Sequence, residues 1–311
     1  MAHSPLTILR RGFTQVRRHG LRLLHYRYLV RPRILKRKPL ACPPESEIEV
    51  HMQVCARDWI NGHWTIRSFA QQTGVPFRLV LLHDGSLDPG ARQSYQNAFP
   101  GVLIPGREQI RDRVEGLFGS KAPTLLGMWR SGRYFTLPKV IDSAVLATNK
   151  RILHIDPDVL FFKRPDELLD TLQADEPAAL WNLPRDKGHA DGMFCFQPDD
   201  IEQATGLRVP VPFGTGLGAW QPDLMPWSAA EALLSEHTPP EEFIFMLDQT
   251  LLALHAAANG WQPLPRDRYA IKPVESLAGV VARHYYGKTR DLMYVEGMPV
   301  AHRSEFDKKK R

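Results

Sequence analysis

The chain has 311 residues, of which 43% are hydrophobic and 24% are charged, as is typical of a globular protein with a substantial core. Its three cysteines are widely spaced and odd in number, and no Cys-x-x-Cys pair suggests zinc or redox chemistry, so we expect a reducing, cytoplasmic compartment rather than a secretory one. No uninterrupted apolar stretch reaches the roughly 18 residues that a membrane-spanning helix needs.

The net charge of +6 is concentrated at the amino terminus. Residues 1–44 contain eleven of the 40 basic residues and no acidic one, which leaves 29 basic and 34 acidic residues, a net charge of −5, in the remainder. Because apolar residues are interleaved with these arginines, residues 1–40 suit a basic amphipathic helix, peripheral at an anionic inner membrane face. A disordered solubilising tail or an organelle transit peptide are the alternatives. We expect no nucleic acid partner, although the same positive charge would also attract RNA or DNA.

Strands and helices alternate after a proline-rich joint at residues 38–44. Apolar runs with a period of two predict strands, and apolar residues at helical spacing predict helices. In chain order we expect a strand at 48–55, a helix at 59–73, a strand at 77–82, a helix at 89–99, a strand at 102–105, helices at 107–116 and 137–148, and a strand at 152–155.

The second half continues with shorter elements. We expect a helix at 165–172, strands at 179–181, 193–196 and 216–220, and helices at 227–236 and 241–259. The alternation predicts an α/β protein, a three-layer α/β/α sandwich with a mixed, mostly parallel central sheet. Residues 45–300 then form one domain, preceded by the basic tail or amphipathic helix at 1–44 and followed by a basic tail at 301–311.

Two carboxylates stand at the end of the strand at 152–155, in the triplet Asp156-Pro157-Asp158. Ligands of α/β proteins bind at the carboxyl ends of the strands, and magnesium-like ions commonly use one or two carboxylates together with substrate phosphates. The triplet therefore indicates a divalent-cation site. The alternative is a turn in which each Asp bonds its own backbone.

Several segments resemble, in their order, the nucleotide-diphospho-sugar transferases, which are glycosyltransferases of the GT-A fold. The segments are FRLVLLHDGSL (77–87), KVID (139–142), IDPDVLFF (155–162), DQTLLA (248–253) and HY (284–285) with Arg290. The resemblance covers residues 48–298. It implies a GT-A-like fold, transfer of a sugar from a nucleotide-diphosphate donor to a glycan, lipid or protein acceptor, and a Mn²⁺ or Mg²⁺ ion held by Asp156 and Asp158.

The resemblance also implies a third metal ligand and a phosphate site near the end of the domain. His284 opens a His-x-x-Gly segment that supplies the third ligand in related enzymes, and Gly287 would allow close approach of the backbone. Lys288 and Arg290, with Thr289 between them, would pair with the donor phosphates.

Other donor contacts are implied along the chain. Asp84 would bind the base or ribose, unless it only closes a turn. Lys139 lies at the start of a helix, where the helix dipole disfavours a cation, and a nearby diphosphate would offset this unfavourable charge. Arg133 is the alternative residue for the diphosphate contact. Gly216 lies in FGTGLG, where relatives carry Asn-Ser-Gly, and Thr215 is a partial substitute for the missing Asn.

Asp248 is the candidate catalytic residue. Its carboxylate would accept the proton of an acceptor hydroxyl or stabilise positive charge at the anomeric carbon; alternatively it only positions the donor sugar. Aromatic side chains are available to stack on sugars, although most are expected in the core. They are Trp181, Trp220, Trp227, Trp261, Tyr285 and Tyr286.

Two other functions are compatible with an Asp-x-Asp triplet at a strand end. Haloacid-dehalogenase-like phosphohydrolases use the first carboxylate as nucleophile and the second as general acid. Their triplet stands near the start of the domain, whereas about a hundred residues of βα structure precede it here. The third hypothesis is a nucleotide-sugar-binding scaffold without turnover.

Overall fold

The computed structural model describes residues 17, 19–174, 179–181, 194–271 and 274–307, and the side chains of residues 179, 180, 288 and 304–307 lie outside this description. The described strands are β1 (Glu49–Val54), β2 (Arg78–His83), β3 (Ile152–Ile155), β4 (Val159–Phe161), β5 (Ala179–Trp181), β6 (Leu217–Trp220), β7 (Trp261–Pro263), β8 (Tyr269–Ala270) and β9 (Ala282–His284).

The described α-helices are α1 (Trp59–Thr73), α2 (Pro89–Ala98), α3 (Arg107–Phe118), α4 (Pro123–Ser131), α5 (Ile141–Leu146), α6 (Asp166–Gln173), α7 (Pro198–Thr205), α8 (Trp227–Glu236), α9 (Leu247–Asn259), α10 (Arg290–Leu292) and α11 (Met298–Asp307). Short 3₁₀ turns precede three of them, at Leu137–Lys139 before α5, at Glu241–Met246 before α9 and at Gly287–Thr289 before α10. Among the described residues, no helix combines the length and the hydropathy needed to cross a membrane.

Six strands form the central sheet in the order β2-β1-β3-β6-β5-β7. The pairs β1/β2, β1/β3 and β5/β7 are parallel, whereas β6 runs antiparallel to both β3 and β5. The α/β class and the mixed, mostly parallel sheet predicted from the sequence are confirmed. Because β1, β2 and β3 run in the same direction, their carboxyl ends meet at one edge of the sheet.

Both faces of the sheet are covered by helices, as the three-layer prediction requires. Alternate residues of β2 point to opposite sides: Leu79 and Leu81 belong to a core with α1, α2 and α6, and Val80 and Leu82 belong to one with α3, α4, α8 and α9. This alternation follows from the period of two in a strand, and near-continuous apolar runs are expected where both faces are buried.

A second sheet, in the order β4-β9-β8, carries the remaining strands. β4 and β9 are antiparallel, with Val159 opposite His284, and the Tyr285 N–H donates to the Asp158 carbonyl at 2.9 Å. This register brings the end of β9 next to the turn that follows β3.

Four predicted elements differ from the structure. The helix expected at 241–259 is a 3₁₀ helix over Glu241–Met246 and is α-helical from Leu247. The strand expected at 102–105 is reduced to a single bridge between Leu103 and Val80, because Pro105 has no N–H to extend the pairing. The helix expected at 137–148 is split, since Pro138 is compatible only with a first turn. Residues 194–196 form bends rather than a strand, and residue 193 lies outside the described residues.

The terminal segments pack on the domain. Residues 19–24 are α-helical and continue as a π-helix (His25–Val30) and a 3₁₀ helix (Arg31–Lys36). Leu23, Val30 and Ile34 are buried in a third core with Met298 and Ala301 of α11. The packing therefore crosses residues 44 and 300, where the sequence suggested domain boundaries.

Candidate active site

A cavity of about 550 Å³ opens at the carboxyl edge of β1, β2 and β3. Its described lining comes from the turn after β1, Asp84 after β2, the turn after β3, the segment before β6, the start of α9 and the segment after β9. This is the position in which open α/β sheets bind ligands. Eight of the predicted site residues line it: Asp84, Lys139, Asp156, Asp158, Gly216, Asp248, His284 and Arg290.

Three of these residues form a cluster that can hold a metal ion. Asp156, Asp158 and His284 each offer one ligand atom, and the three atoms lie within 4.8 Å of one another. His284 Nε2 lies 3.0 Å from Asp158 Oδ1 and 3.6 Å from Asp156 Oδ2. The register of β4 with β9 produces this convergence, because it places His284 beside residue 159.

Each carboxylate of the cluster uses its two oxygens differently. Asp156 Oδ1 accepts from Lys139 Nζ at 2.9 Å and lies 3.2 Å from His154 Nε2, while Oδ2 faces His284. Asp158 Oδ2 accepts from Arg290 at 2.7 Å, while Oδ1 faces His284. One oxygen of each carboxylate is thus fixed by a protein donor, and the other is directed to the shared point. Two carboxylate oxygens and an imidazole nitrogen fit Mn²⁺ or Mg²⁺, with further positions for phosphate oxygens and water.

Lys139 is buried at the inner end of the cavity and joins both halves of the site. Its Nζ lies 2.9 Å from Asp156 Oδ1, 3.0 Å from Asp248 Oδ2 and 3.4 Å from Thr215 Oγ1. Two protein carboxylates thus balance this cation, and its contact with a donor diphosphate stays a prediction. Thr215 also donates to Asp248 Oδ2 at 3.3 Å, so the catalytic candidate is held from two sides.

Burial alone would raise the pKa of every site carboxylate. At Asp156, burial is outweighed by Lys139, His154 and His284, which lower the pKa; at Asp158, His284 and Arg290 outweigh burial and lower it. At Asp248, burial prevails over the attraction of Lys139 and raises the pKa. Burial would lower the pKa of Lys139, but Asp156 and Asp248 outweigh it, so the amine remains protonated.

Arg290 lies in the cavity, and two carboxylates engage it. Its Nη1 lies 3.1 Å from both oxygens of Asp58, and its Nη2 donates to Asp158. Asp58 is 4% exposed, so this ion pair is largely desolvated. The guanidinium that the sequence assigned to phosphate binding therefore also supports a metal-ligand candidate.

The described lining of the cavity carries five carboxylates and three cations, a net charge of −2 when His284 is neutral: Asp58, Asp84, Asp156, Asp158, Asp248, Arg57, Lys139 and Arg290. An anionic diphosphate would be repelled by this excess. A divalent cation at the cluster would cancel it. The charge balance and the ligand geometry therefore point to the same kind of ion.

Gly216 is required by the close approach of His284. A Cβ built on Gly216 would overlap the imidazole ring, and the Gly216 carbonyl accepts from the Asp156 N–H at 2.7 Å. The glycine thus touches both sides of the cluster.

The remaining predicted donor contacts are less directly placed. The Asp84 carboxylate lines the cavity but accepts from the Ser86 N–H and hydroxyl, as in the turn proposed as its alternative role. Arg133 forms an exposed ion pair with Glu241 and is not among the lining residues. Gly287 has φ = 54° and starts the turn after β9. The side chain of Lys288 lies outside the described residues.

The sequence analysis did not identify four residues of the site: Asp58, His154, Phe135 and Phe245. Asp58 follows a strand end, the same signal that identified Asp156. His154 interrupts an apolar strand. Burial, followed by the charge of Lys139, lowers its pKa to about 4, so a neutral ring donates from Nε2 to Asp156. The two phenylalanines are 41% and 48% exposed at the cavity, which no local pattern indicates.

The candidate sugar-stacking residues divide by burial. Trp181, Trp220 and Tyr285 are fully buried, as expected for core aromatics. Tyr286 is 43% exposed, lines the cavity, and lies with its ring centroid 5.1 Å from that of His284. It is the member of this set that lines the cavity.

No family model and no curated protein matches the chain. Among solved structures, the chain is similar to mouse xyloside xylosyltransferase 1, at 10% identity over 80% of this chain and 98% of that one, with a TM-score of 0.46. It is similar to the galactosyltransferase LgtC in complex with donor and acceptor sugar analogs, at 11% identity over 82% and 95%, with a TM-score of 0.48. It is also similar to the mannosyltransferase Ktr4p from S. cerevisiae, at 10% identity over 80% of this chain and 78% of that one, with a TM-score of 0.44. All three are glycosyltransferases by name.

Proposed function

We propose that this protein is a divalent-cation-dependent glycosyltransferase that moves a sugar from a nucleotide-diphosphate donor to an acceptor hydroxyl. The observation that carries the proposal is the convergence of Asp156, Asp158 and His284 in a cavity at the carboxyl edge of the sheet. The cavity volume of about 550 Å³ falls in the range of small-molecule sites.

The donor can be assigned to the cavity by charge. We place the nucleoside along the turn after β1 and the diphosphate at the cluster, with the sugar towards Lys139 and Asp248. When bound, the cation would neutralise the charge that develops on the departing diphosphate as the bond to the sugar breaks. Lys139 and His154 would hold Asp156 in place, and Arg290 would hold Asp158, so neither ligand has to reorganise during the reaction.

Asp248 is assigned to the sugar side of the site. Lys139 and Thr215 fix one of its oxygens, and the buried environment strengthens any charge interaction with the anomeric centre. Either stabilisation of positive charge or acceptance of a proton from the acceptor requires the ionised form. Lys139 favours that form against the effect of burial.

The phosphohydrolase alternative is disfavoured by the state of Asp158. A general acid has to carry a proton at the working pH, whereas His284 and Arg290 overcome burial and lower the pKa of this carboxyl. The scaffold alternative predicts donor binding without turnover, so a turnover assay distinguishes it from the transferase.

The test is a binding titration of the full chain with uridine and guanosine diphosphates and their sugar conjugates, each with MnCl₂ and with EDTA. We expect at least one of them to bind in the presence of the cation and raise the melting temperature, since a ligand at about 100 times its Kd stabilises by about 2.7 kcal/mol. Asp158→Asn should abolish the effect, whereas Asp112→Asn, an exposed helical carboxylate outside the cavity, should retain it. Equal binding in EDTA would contradict the cation dependence.

Turnover is measured in the same samples as release of the nucleoside diphosphate from the sugar conjugate that binds. Release by the wild type and by Asp112→Asn, but not by Asp158→Asn, supports the enzyme. Cation-dependent binding with no release, in the presence of simple sugar, peptide and lipid-linked acceptors, favours the scaffold.

A further inference from the structure

The segment at residues 19–36 has two apolar faces with different surroundings. Leu23, Val30 and Ile34 are at most 2% exposed and pack in the third core. Leu21, Tyr28 and Leu29 are 75%, 61% and 57% exposed, the three highest values among the large hydrophobic side chains that the structure describes. The inner face therefore explains the docking of the segment on the domain, and the outer face is left for another contact.

The three exposed side chains lie within nine residues of one another in the chain. Leu21 belongs to the α-helical part of the segment, and Tyr28 and Leu29 belong to the π-helix that continues it. Five basic residues are exposed on the same segment or within two residues of it: Arg17, Arg22, Arg33, Lys36 and Lys38. Because residues 1–44 contain no acid, the charge that the segment itself carries is of one sign; Asp291 of the domain lies beside Arg27.

The segment is held firmly in position by polar contacts with α1. Trp64 Nε1 donates to the Arg31 carbonyl at 3.0 Å, and Arg31 Nε donates to Asn61 Oδ1 at 2.7 Å. A partner therefore meets a preformed surface and does not have to order a tail, which reduces the entropic cost of association.

We propose that Leu21, Tyr28 and Leu29, with the basic side chains around them, form a docking surface for an anionic lipid bilayer. Basic residues attract acidic headgroups, and leucine with tyrosine inserts at the boundary between headgroups and acyl chains. RNA would use the same charge but gains nothing from two exposed leucines, whose aliphatic side chains stack poorly on bases. The inference stands independently of the proposed transferase activity.

The docking surface adjoins the cavity. Arg31 Nη2 donates to the carbonyl of Arg57, a lining residue, at 3.3 Å, and Arg27 lies 3.9 Å from Asp291, the neighbour of Arg290. Docking through this segment would therefore bring the donor end of the cavity close to the membrane surface.

The test is co-sedimentation of the full chain with vesicles of phosphatidylcholine alone and of phosphatidylcholine mixed with phosphatidylserine. We expect partition onto the mixed vesicles only, weakened by roughly tenfold or more in a Leu21→Ser, Leu29→Ser double variant and in Arg33→Glu, Lys36→Glu. The matched control is Val211→Ser, Leu224→Ser, which changes two hydrophobic side chains of 43% and 39% exposure elsewhere. Melting temperatures verify that all variants are folded.

Four results would overturn the proposal. The first is absence of the wild-type protein from the mixed vesicles, and the second is an equal loss of vesicle binding in the Val211 and Leu224 control. The third is a wild-type dimer that does not bind vesicles and that dissociates in the leucine variant. The fourth is binding of an RNA oligonucleotide in place of vesicles. Donor binding measured in the same variants distinguishes this failure from failure of the transferase proposal, because Leu21 and Leu29 do not line the cavity.

Discussion

Two buried clusters of charged side chains lie at opposite edges of the same parallel strands. At the amino end of β1, Glu49 Oε1 accepts from Arg78 and lies 2.7 Å from His51 Nε2, while Oε2 accepts from the N–H groups of Thr148 and Asn149 at 2.9 and 2.8 Å. Every oxygen of Glu49 is thus used inside the protein. At the carboxyl edge, Asp156 and Asp158 each keep one oxygen directed to a shared point in a cavity.

The comparison shows that residue type does not distinguish a structural cluster from a functional one. Both combine carboxylate, histidine and a basic side chain. Glu49 is 0% exposed and lies away from the cavity, whereas the Asp156 side chain is 24% exposed and lines it. What differs is that the second oxygens of Asp156 and Asp158 face His284, itself a candidate ligand, at the wall of a cavity, and such a convergence indicates a ligand.

The largest expected effect is on activity at the open cluster. Asp158→Asn removes a metal-ligand charge, so we expect donor turnover to fall by roughly 10²–10³-fold while the protein remains folded. The measurement is release of nucleoside diphosphate from the donor at saturating Mn²⁺, with circular dichroism to verify the fold. Turnover equal to the wild type would remove the open cluster from the reaction.

The mirror experiment concerns stability at the closed cluster. The Glu49 side chain is fully buried, and Glu49→Gln leaves Arg78 without a carboxylate partner. Breaking a buried ion pair in this way costs about 3–5 kcal/mol of unfolding free energy. Urea unfolding measures the loss. Turnover per folded molecule should be unchanged, and a loss of turnover without a loss of stability would contradict the assignment of this cluster to structure.

A third substitution tests the geometry of the open cluster without altering a ligand. Gly216→Ala places a Cβ against the ring of His284 and should displace it, which weakens cation affinity by roughly 10–100-fold, as for supporting residues of metal sites. Gly127→Ala is the matched control, since a Cβ there meets nothing within 4 Å. Isothermal titration with MnCl₂ compares the two, and equal affinities would show that His284 is not a ligand.

The sequence predicted where the strands end, but it did not predict the side-chain contacts between residues at different strand ends. Asp156 and Asp158 were predictable because one apolar run ends before Asp156 and the next begins after Asp158, a signal that depends on neighbouring residues alone. The bonds from Lys139 and His154 to Asp156, and from Arg290 to Asp58, depend on how distant strands are brought together. Likewise, the basic composition of residues 1–44 predicted an amphipathic helix, but not that Leu23, Val30 and Ile34 pack on the domain.

Asp142 is a buried carboxylate that belongs to neither of the two clusters. Its Oδ1 accepts from Trp129 Nε1 at 2.7 Å, and among the described residues it forms no ion pair. Burial raises its pKa to about 6, against the hydrogen bond from Trp129 and the more distant charge of Arg107. The folded state therefore binds the proton more tightly than the unfolded state, whose pKa is near 3.8.

This difference fixes the sign of the pH effect. Between the unfolded and folded pKa values the folded state holds more protons, so the contribution of Asp142 to stability is present below pH 3.8 and is lost as the pH rises through about 6. Asp142→Asn keeps an acceptor for Trp129 and removes the buried charge, although its amide N–H groups need partners. The cost of the unpartnered amide N–H groups is the same at both pH values, so we expect the stability of the variant relative to the wild type to rise by about 2 kcal/mol between pH 4 and pH 8. Urea unfolding at both values measures this change, and a relative stability that does not change with pH would mean that the pKa of Asp142 is not raised in the folded state.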